Sequence, residues 1–289
     1  MSRHPLFVRA LAGDGVRLNA TCAGEGQRKV ILLHGFPENS SSWLHQFDPL
    51  VDAGFAVIAP DLRGYGASDR PSATSAYEIQ HLVEDVATII HSEGDDRAVV
   101  VGHDWGGLIA WRLAALHPEL VDKLIILNSP HPRIFAKKVR RPPQLFRSWY
   151  VLPALIPYLS EAVLSAGDFW MIRRMFRKKP AREGTFSEER IERFVDGLRP
   201  PGALTAALSY YRANVGKREL MGERQPITVP TLVVWGDLDP ALDVGLLDGL
   251  DRYVLDLTVK RIAHAGHWVQ NEAPDEVNAA ILEFITSDA

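Results

Sequence analysis

The chain has 289 residues, 46% of them hydrophobic, with a formal net charge of −4 and a single cysteine, Cys22. Its length suits one large domain or two small ones around a packed core, and its slight acidity excludes a global attraction to nucleic acid or anionic membranes. One thiol excludes an internal disulfide and a thiolate metal cluster. No eighteen uncharged apolar residues run together, and the opening MSRHPLFVRALAGDGVRL has too short an apolar stretch for a signal peptide, so the expected compartment is the cytoplasm.

In chain order, FVRALAGDGVRLNATCAGEG alternates like two strands around the turn Gly13-Asp14-Gly15. KVILLHGFP is a continuous apolar run of the kind that fills a parallel sheet. FAVIAPDLRGYG, AVVVGHD and KLIILNSP repeat the pattern of a short apolar strand ending in a Gly, Pro or Asp loop. Between them, YEIQHLVEDVATIIHSEG and LIAWRLAALHPE carry apolar residues at helical spacing. This alternation predicts an α/β fold with a mostly parallel, doubly wound sheet.

Residues 134–221 break the rhythm. They lack buried-strand runs and hold aromatic and basic clusters, RSWYVLPALIPYL, FWMIRRMFRKK and LSYYRAN, which predicts an inserted helical cap. The sheet pattern resumes in TLVVWGDLDP and VLDLTVKRIAHAGHW, and APDEVNAAILEFI reads as a closing helix. The expected organisation is a core from residues 1–133 and 222–289 with the cap between them.

Ligands of open α/β sheets bind beyond the carboxyl ends of the strands, so the chemistry is sought in those loops. In AVVVGHDWGG, the strand Ala98 to Val101 runs into Gly102, Gly106 and Gly107, with Asp104 at the centre of the turn. A carboxylate there costs desolvation unless it is paired, hydrogen-bonded or at work. The spacing Gly102-x-Asp104-x-Gly106 is that of a nucleophile elbow of the α/β-hydrolase type, with Asp where Ser usually stands. A plain N-cap is the simpler reading of Asp104, but a cap does not call for a glycine on either side. The loops GDLDP and HAGHW add an acid and a histidine in the chain order of a hydrolase triad, Asp104, Asp239 and His267. Asp237 competes for the acid role, although Asp239 lies farther out on its loop. His267 alone would read as a structural histidine against Trp268. A serine attacks a carbonyl carbon, whereas a carboxylate can displace a leaving group at saturated carbon and form an ester to the enzyme. Asp104 therefore suits epoxides and alkyl halides.

HGFPENSSSWLHQ, VIAPDLRGYGASDRP, GHDWGG and GHWVQNEAPDEV resemble the epoxide hydrolase branch of the α/β-hydrolase superfamily, and the resemblance runs through nearly all of the core. It implies conversion of epoxides to vicinal diols, with Asp104 as nucleophile, His267 as base and Asp239 as the acid that orients it. RSWYVLPALIPYL and LSYYRAN are similar to the two segments that supply ring-opening tyrosines. These map to Tyr150 and Tyr211, with Tyr158 and Tyr210 as alternatives. A phenol is protonated at neutral pH and can donate to the departing epoxide oxygen. The backbone N–H groups of Phe36 and Trp105 are the expected oxyanion donors.

A haloalkane or haloacetate dehalogenase with the same triad is the alternative. Phe36 stands where such enzymes often carry a side-chain N–H for the halide, and Trp105 where haloacetate enzymes tend to place Arg. No cofactor is expected, and HGFPE offers too few ligands near His34 for a metal. MIRRMFRKKPAR reads as a solvated cap face rather than a nucleic-acid site, DLRGYGASDR as loop architecture, and His103 and His131 as supporting groups. The expected partners are a small-molecule epoxide and water, without nucleic acid or a membrane span; a homo-oligomer is compatible with the sequence.

Overall fold

The computed structural model of the chain describes residues 2–94, 96–221 and 225–287. Eight strands form one sheet: β1 (Phe7–Ala12), β2 (Arg17–Ala23), β3 (Arg28–Leu33), β4 (Phe55–Pro60), β5 (Ala98–His103), β6 (Val121–Leu127), β7 (Thr231–Gly236) and β8 (Leu257–Ile262). Their order is β1-β2-β4-β3-β5-β6-β7-β8. β1 and β2 are antiparallel to each other and β2 to β4; every other pairing is parallel.

Side chains on successive strand residues point to opposite faces, so a strand apolar throughout must be covered twice. Val30, Leu32, Val99, Val101, Ile125 and Leu127 join one apolar layer, while Ile31, Leu33, Ala98, Val100, Leu124 and Ile126 join the other. The first layer is closed by α1 (Phe47–Asp52) and, near the end of the chain, by the helix Pro274–Thr286; the second by α2 (Ile79–Ser92) and α3 (Trp105–Leu116). β8 is an edge strand with four exposed residues in the middle of its run.

Among the described residues, helical segments connect β6 to β7. They form α4 (Pro132–Lys138), α5 (Gln144–Arg147), α6 (Val151–Ala154), α7 (Leu159–Lys178), α8 (Glu188–Leu198), α9 (Ala203–Asn214) and α10 (Arg218–Met221). α7 is interrupted at Ala166–Phe169, where Gly167, Asp168 and Phe169 have positive φ. After β8 come α11 (Val269–Glu272) and α12 (Pro274–Thr286). Among the described residues, no helix is long and apolar enough to cross a membrane.

The strand order also decides where a site can form. From β3 the chain winds out to β4 and then crosses back to β5 on the other side of β3, so the loops after β3 and β5 diverge at a topological switch point. Leu33 and Gly102 are register partners at the ends of those strands. The segments after β6, β7 and β8 follow in order along the same edge.

Candidate active site

Asp104 sits between β5 and α3 with φ 51° and ψ −117°, a conformation that costs a non-glycine residue about 1–3 kcal/mol. Its neighbours leave no room for ordinary side chains. A Cβ on Gly102 would lie 2.4 Å from the Gly106 carbonyl oxygen, and one on Gly106 would lie 2.1 Å from that of Leu33. The backbone of the turn therefore presses against β3, and the carboxylate is carried to the mouth of the switch point. There the Phe36 N–H donates to Asp104 Oδ1 at 2.9 Å.

The His34 ring fastens the loop that brings Phe36 there. Its Nε2 accepts from the Leu62 N–H at 3.0 Å, which leaves Nδ1–H to donate to the Gly35 carbonyl at 2.9 Å. Burial lowers the pKa of this imidazole below its ordinary value, consistent with a neutral ring in that tautomer. Trp105 is the first residue of α3, where a helix N–H has no partner in the helix.

His267 faces Asp104 across the mouth, with Nε2 3.8 Å from Oδ2, and its Nδ1 is 2.7 Å from Asp239 Oδ2. Asp239 is fully buried and fully satisfied. Its Oδ1 accepts from the N–H groups of Ala241 at 2.7 Å and Leu242 at 2.9 Å, and its Oδ2 also accepts from Asn128 Nδ2 at 2.8 Å. Burial pulls this carboxyl up, yet His267 and the two N–H groups hold it below the ordinary carboxylate range. The imidazole shows the complementary shift. Burial lowers it, but Asp239 and then Asp104 outweigh that and raise it to about 9. Asp237, the competing acid, turns away and forms a two-pronged pair with Arg261 at 2.8 and 2.9 Å.

Tyr211 lies over the turn that carries Asp104. Its ring meets those of Trp105 and Phe36 edge-on, at centroid distances of 5.0 and 5.6 Å. Burial, Asp104 and Tyr150 together push the Tyr211 phenol well above its ordinary value. Tyr150, at the start of α6, is partly buried; burial and the charges of Asp104 and Asp239 push its phenol up as well. The alternatives are differently placed. Tyr210 donates its hydroxyl proton to the Arg63 carbonyl at 2.8 Å, and Tyr158 is 87% exposed.

Three supporting side chains escape the motif reading. Asn128, with φ 37°, accepts from the Gly236 N–H at 2.8 Å while holding Asp239, and so ties the end of β6 to that of β7. Its signal was its place in NSPHP at a strand end. Glu272 accepts from the N–H groups of Gly266 and Trp268, both at 3.0 Å, bracketing His267, and from that of Ala181 at 2.6 Å. Glu38 is buried against His103 Nδ1 at 2.9 Å and accepts from Ser42 Oγ at 2.6 Å. Burial pulls Glu38 up, but His103 and Ser42 hold it below its ordinary value.

DLRGYGASDR is built as scaffold: Arg63 pairs with buried Asp85 at 2.7 and 2.8 Å, and Asp61 accepts from the Ser40 N–H at 2.9 Å. His131 stacks on Tyr253 at a centroid distance of 4.6 Å, and burial lowers it to about 3.

An elbow between β5 and α3, with an acid after β7 and a histidine after β8, defines a hydrolase of the α/β fold. The family model for the alpha/beta hydrolase fold matches residues 29–274, and the chain belongs to that family. Within it, the chain belongs to the epoxide hydrolase branch. It is 38% identical to epoxide hydrolase 3 of Xenopus tropicalis, over 98% of this chain and 78% of that one. It is 35% identical to epoxide hydrolase A of Mycobacterium tuberculosis, over 96% and 97% of the two chains. Among solved structures, a mutant of an epoxide hydrolase from Bacillus megaterium complexed with its naphthyloxy-propanediol product superposes with a TM-score of 0.88. It is 31% identical, with 96% of this chain and all of that one covered.

Proposed function

We propose that this protein hydrolyses epoxides to vicinal diols through a covalent ester on Asp104. The observation that carries the reading is the pair of contacts on its carboxylate: Phe36 N–H on Oδ1 at 2.9 Å, and His267 Nε2 at 3.8 Å from Oδ2. Oδ2 attacks an epoxide carbon, the C–O bond of the ring breaks, and the departing oxygen takes a proton from Tyr150 or Tyr211. Oδ1 becomes the ester carbonyl oxygen, already facing the Phe36 donor.

The charge balance then favours the second step. Forming the ester removes the Asp104 charge, one of the groups that raise His267, so once the ester exists the imidazolium can give up its proton and restore the phenol. Neutral His267 takes a proton from a water that attacks the Asp104 carbonyl carbon. Asp239 keeps the ring oriented, His267 passes that proton to the departing oxygen, and the diol leaves with the oxygen that Asp104 supplied.

Halide displacement would use the same triad, but a halide leaves without a proton. Two phenols, Tyr150 and Tyr211, both raised in part by the charge of Asp104, match an alkoxide instead. The curated relatives and the solved neighbours described above, all epoxide hydrolases, support this choice.

A single turnover in heavy-oxygen water, with enzyme in excess, tests the covalent route. The expected diol carries mostly ordinary oxygen, and the label appears in the peptide containing Asp104. Fully labelled diol with an unlabelled peptide would make Asp104 a general base and overturn the ester.

A further inference from the structure

The large apolar side chains that remain exposed are not scattered evenly. Most of them fall between Leu145 and Met171, from α5 through α6 and into α7. Phe146 is 72% exposed, Leu152 69% and Trp149 64%, and Ile156, Tyr158 and Leu159 continue the run. Single exposed apolar residues need no explanation, whereas a continuous run of this kind marks an interaction surface. Its inner side is anchored: Arg212 binds Glu161 at 2.6 Å and the Ala154 carbonyl at 3.2 Å, and Tyr150 points inward between exposed Trp149 and Leu152. The run therefore belongs to a packed layer with one face left in water.

Charge is as unevenly distributed as hydrophobicity. Residues 134–221 hold seventeen Lys and Arg against eight Asp and Glu, while the rest of the chain holds fifteen against twenty-eight. The excess is concentrated in residues 134–182, with eleven cations and two acids, on both sides of the apolar run. Arg140, Arg141 and Lys179 are exposed and have no ion pair among the described residues, and Arg174 stacks on exposed Trp170 at 5.6 Å. The whole-chain charge of −4 conceals this polarity.

From this combination we infer that the outer face of α5, α6 and the start of α7 docks on an anionic lipid bilayer surface, with Phe146, Trp149 and Leu152 entering the interface and the flanking cations meeting headgroups. Apolar and aromatic side chains ringed by Lys and Arg are what an interfacial contact requires. The two other occupants fit less well. Lys138, Arg147, Arg173, Arg177 and Lys178 are paired with carboxylates, but a second copy would bring the remaining cations, Arg140, Arg141 and Lys179 among them, against those of another copy across a two-fold axis. A nucleic acid would reward the cations and aromatics, but not Leu152, Ile156 and Leu159. The inference is independent of the proposed reaction, since its readout is binding.

The test is co-sedimentation of the full chain with phosphatidylcholine vesicles, with and without about one third phosphatidylglycerol, at about 0.1 M salt. Binding is expected only to the anionic vesicles and is expected to weaken as salt rises. The triple variant Phe146→Ser, Trp149→Ser, Leu152→Ser and the triple variant Arg140→Glu, Arg141→Glu, Lys179→Glu should each reduce it by about tenfold or more, with the thermal midpoint unchanged. Three outcomes overturn the inference. One is no sedimentation with anionic vesicles. Another is retention of binding by both variants. The third is a partner of another kind: a concentration-dependent dimer abolished by the apolar variant, or a duplex RNA or DNA bound in preference to vesicles.

Discussion

His103 and His267 lie side by side, ring centroids 4.9 Å apart, and each meets a buried carboxylate through Nδ1: Glu38 at 2.9 Å and Asp239 at 2.7 Å. Their second nitrogens differ. His103 Nε2 donates to the His267 carbonyl at 2.9 Å, so both ends of the ring are occupied. His267 Nε2 has no hydrogen-bond partner among the described residues and faces Asp104 Oδ2 at 3.8 Å. Pairing with a buried acid is thus not what distinguishes a base. The distinguishing feature is a nitrogen left facing the chemistry, and His103 serves by holding the backbone of the residue that has one.

The sharpest way to break this comparison is to remove each imidazole in turn. His267→Gln should reduce steady-state diol formation by about 10³-fold or more, and epoxide should then accumulate on the enzyme as a mass increase of one substrate, because ring opening needs no base. His103→Gln should cost about tenfold and leave no adduct. Intact-mass spectra after mixing with epoxide decide the matter, and an adduct only in the His103 variant would reverse the assignment.

The two acids on the loop after β7 offer the next contrast. Asp239→Asn should slow turnover by about 10²-fold or more, with ester hydrolysis affected more than ester formation, since the amide cannot balance an imidazolium. Asp237→Asn should stay within about threefold, because its partner is exposed Arg261. Rapid-mixing kinetics with the opposite order would move the orienting role to Asp237.

A smaller effect is expected among the helices between β6 and β7. Tyr150→Phe or Tyr211→Phe should each slow ring opening by about tenfold to 10²-fold, and the double variant should nearly abolish it. Tyr210→Phe instead loses a buried hydrogen bond to Arg63, so it should lower the thermal midpoint and leave ring opening within a few fold. Equal ring-opening rates in Tyr211→Phe and the wild type would remove Tyr211 from the chemistry.

These contrasts also mark what was legible in the sequence. The meeting of Asp104, Asp239 and His267 was readable as a candidate because each sits at a strand end, where residue type and local glycine spacing carry the signal. The supporting contacts were not. Glu38 meets His103 across 65 positions of chain and Asn128 meets Asp239 across 111. No local pattern encodes such a meeting; it follows from the order of the strands. The apolar run in RSWYVLPALIPYL has the composition of a buried segment, yet Trp149 and Leu152 are left outside while Tyr150 turns inward. Short helices with few apolar neighbours fix that choice by tertiary contact rather than by periodicity.

The smallest expected effect is on stability, and it too separates His267 from the other histidines. Its folded pKa of about 9 lies above the ordinary value of 6.5, so the stabilisation from its protonated form is complete below pH 6.5 and is lost as pH rises toward 9. His34, His45 and His131 are shifted the other way; their neutral forms are favoured by folding, and that contribution is already complete above pH 6.5. Asp239 and Glu38, held low, change their contribution only in acid. Burial raises Cys22 from its ordinary value of 9.0, which matters only at the alkaline end. Between pH 6.5 and 9 the slope therefore belongs chiefly to His267. The wild-type thermal midpoint should fall by a few degrees over that interval, and the His267→Gln midpoint should stay nearly level. Melting curves at both pH values check this. If the two proteins lost the same number of degrees, the carboxylates of Asp239 and Asp104 would not be holding a proton on His267 in the resting enzyme.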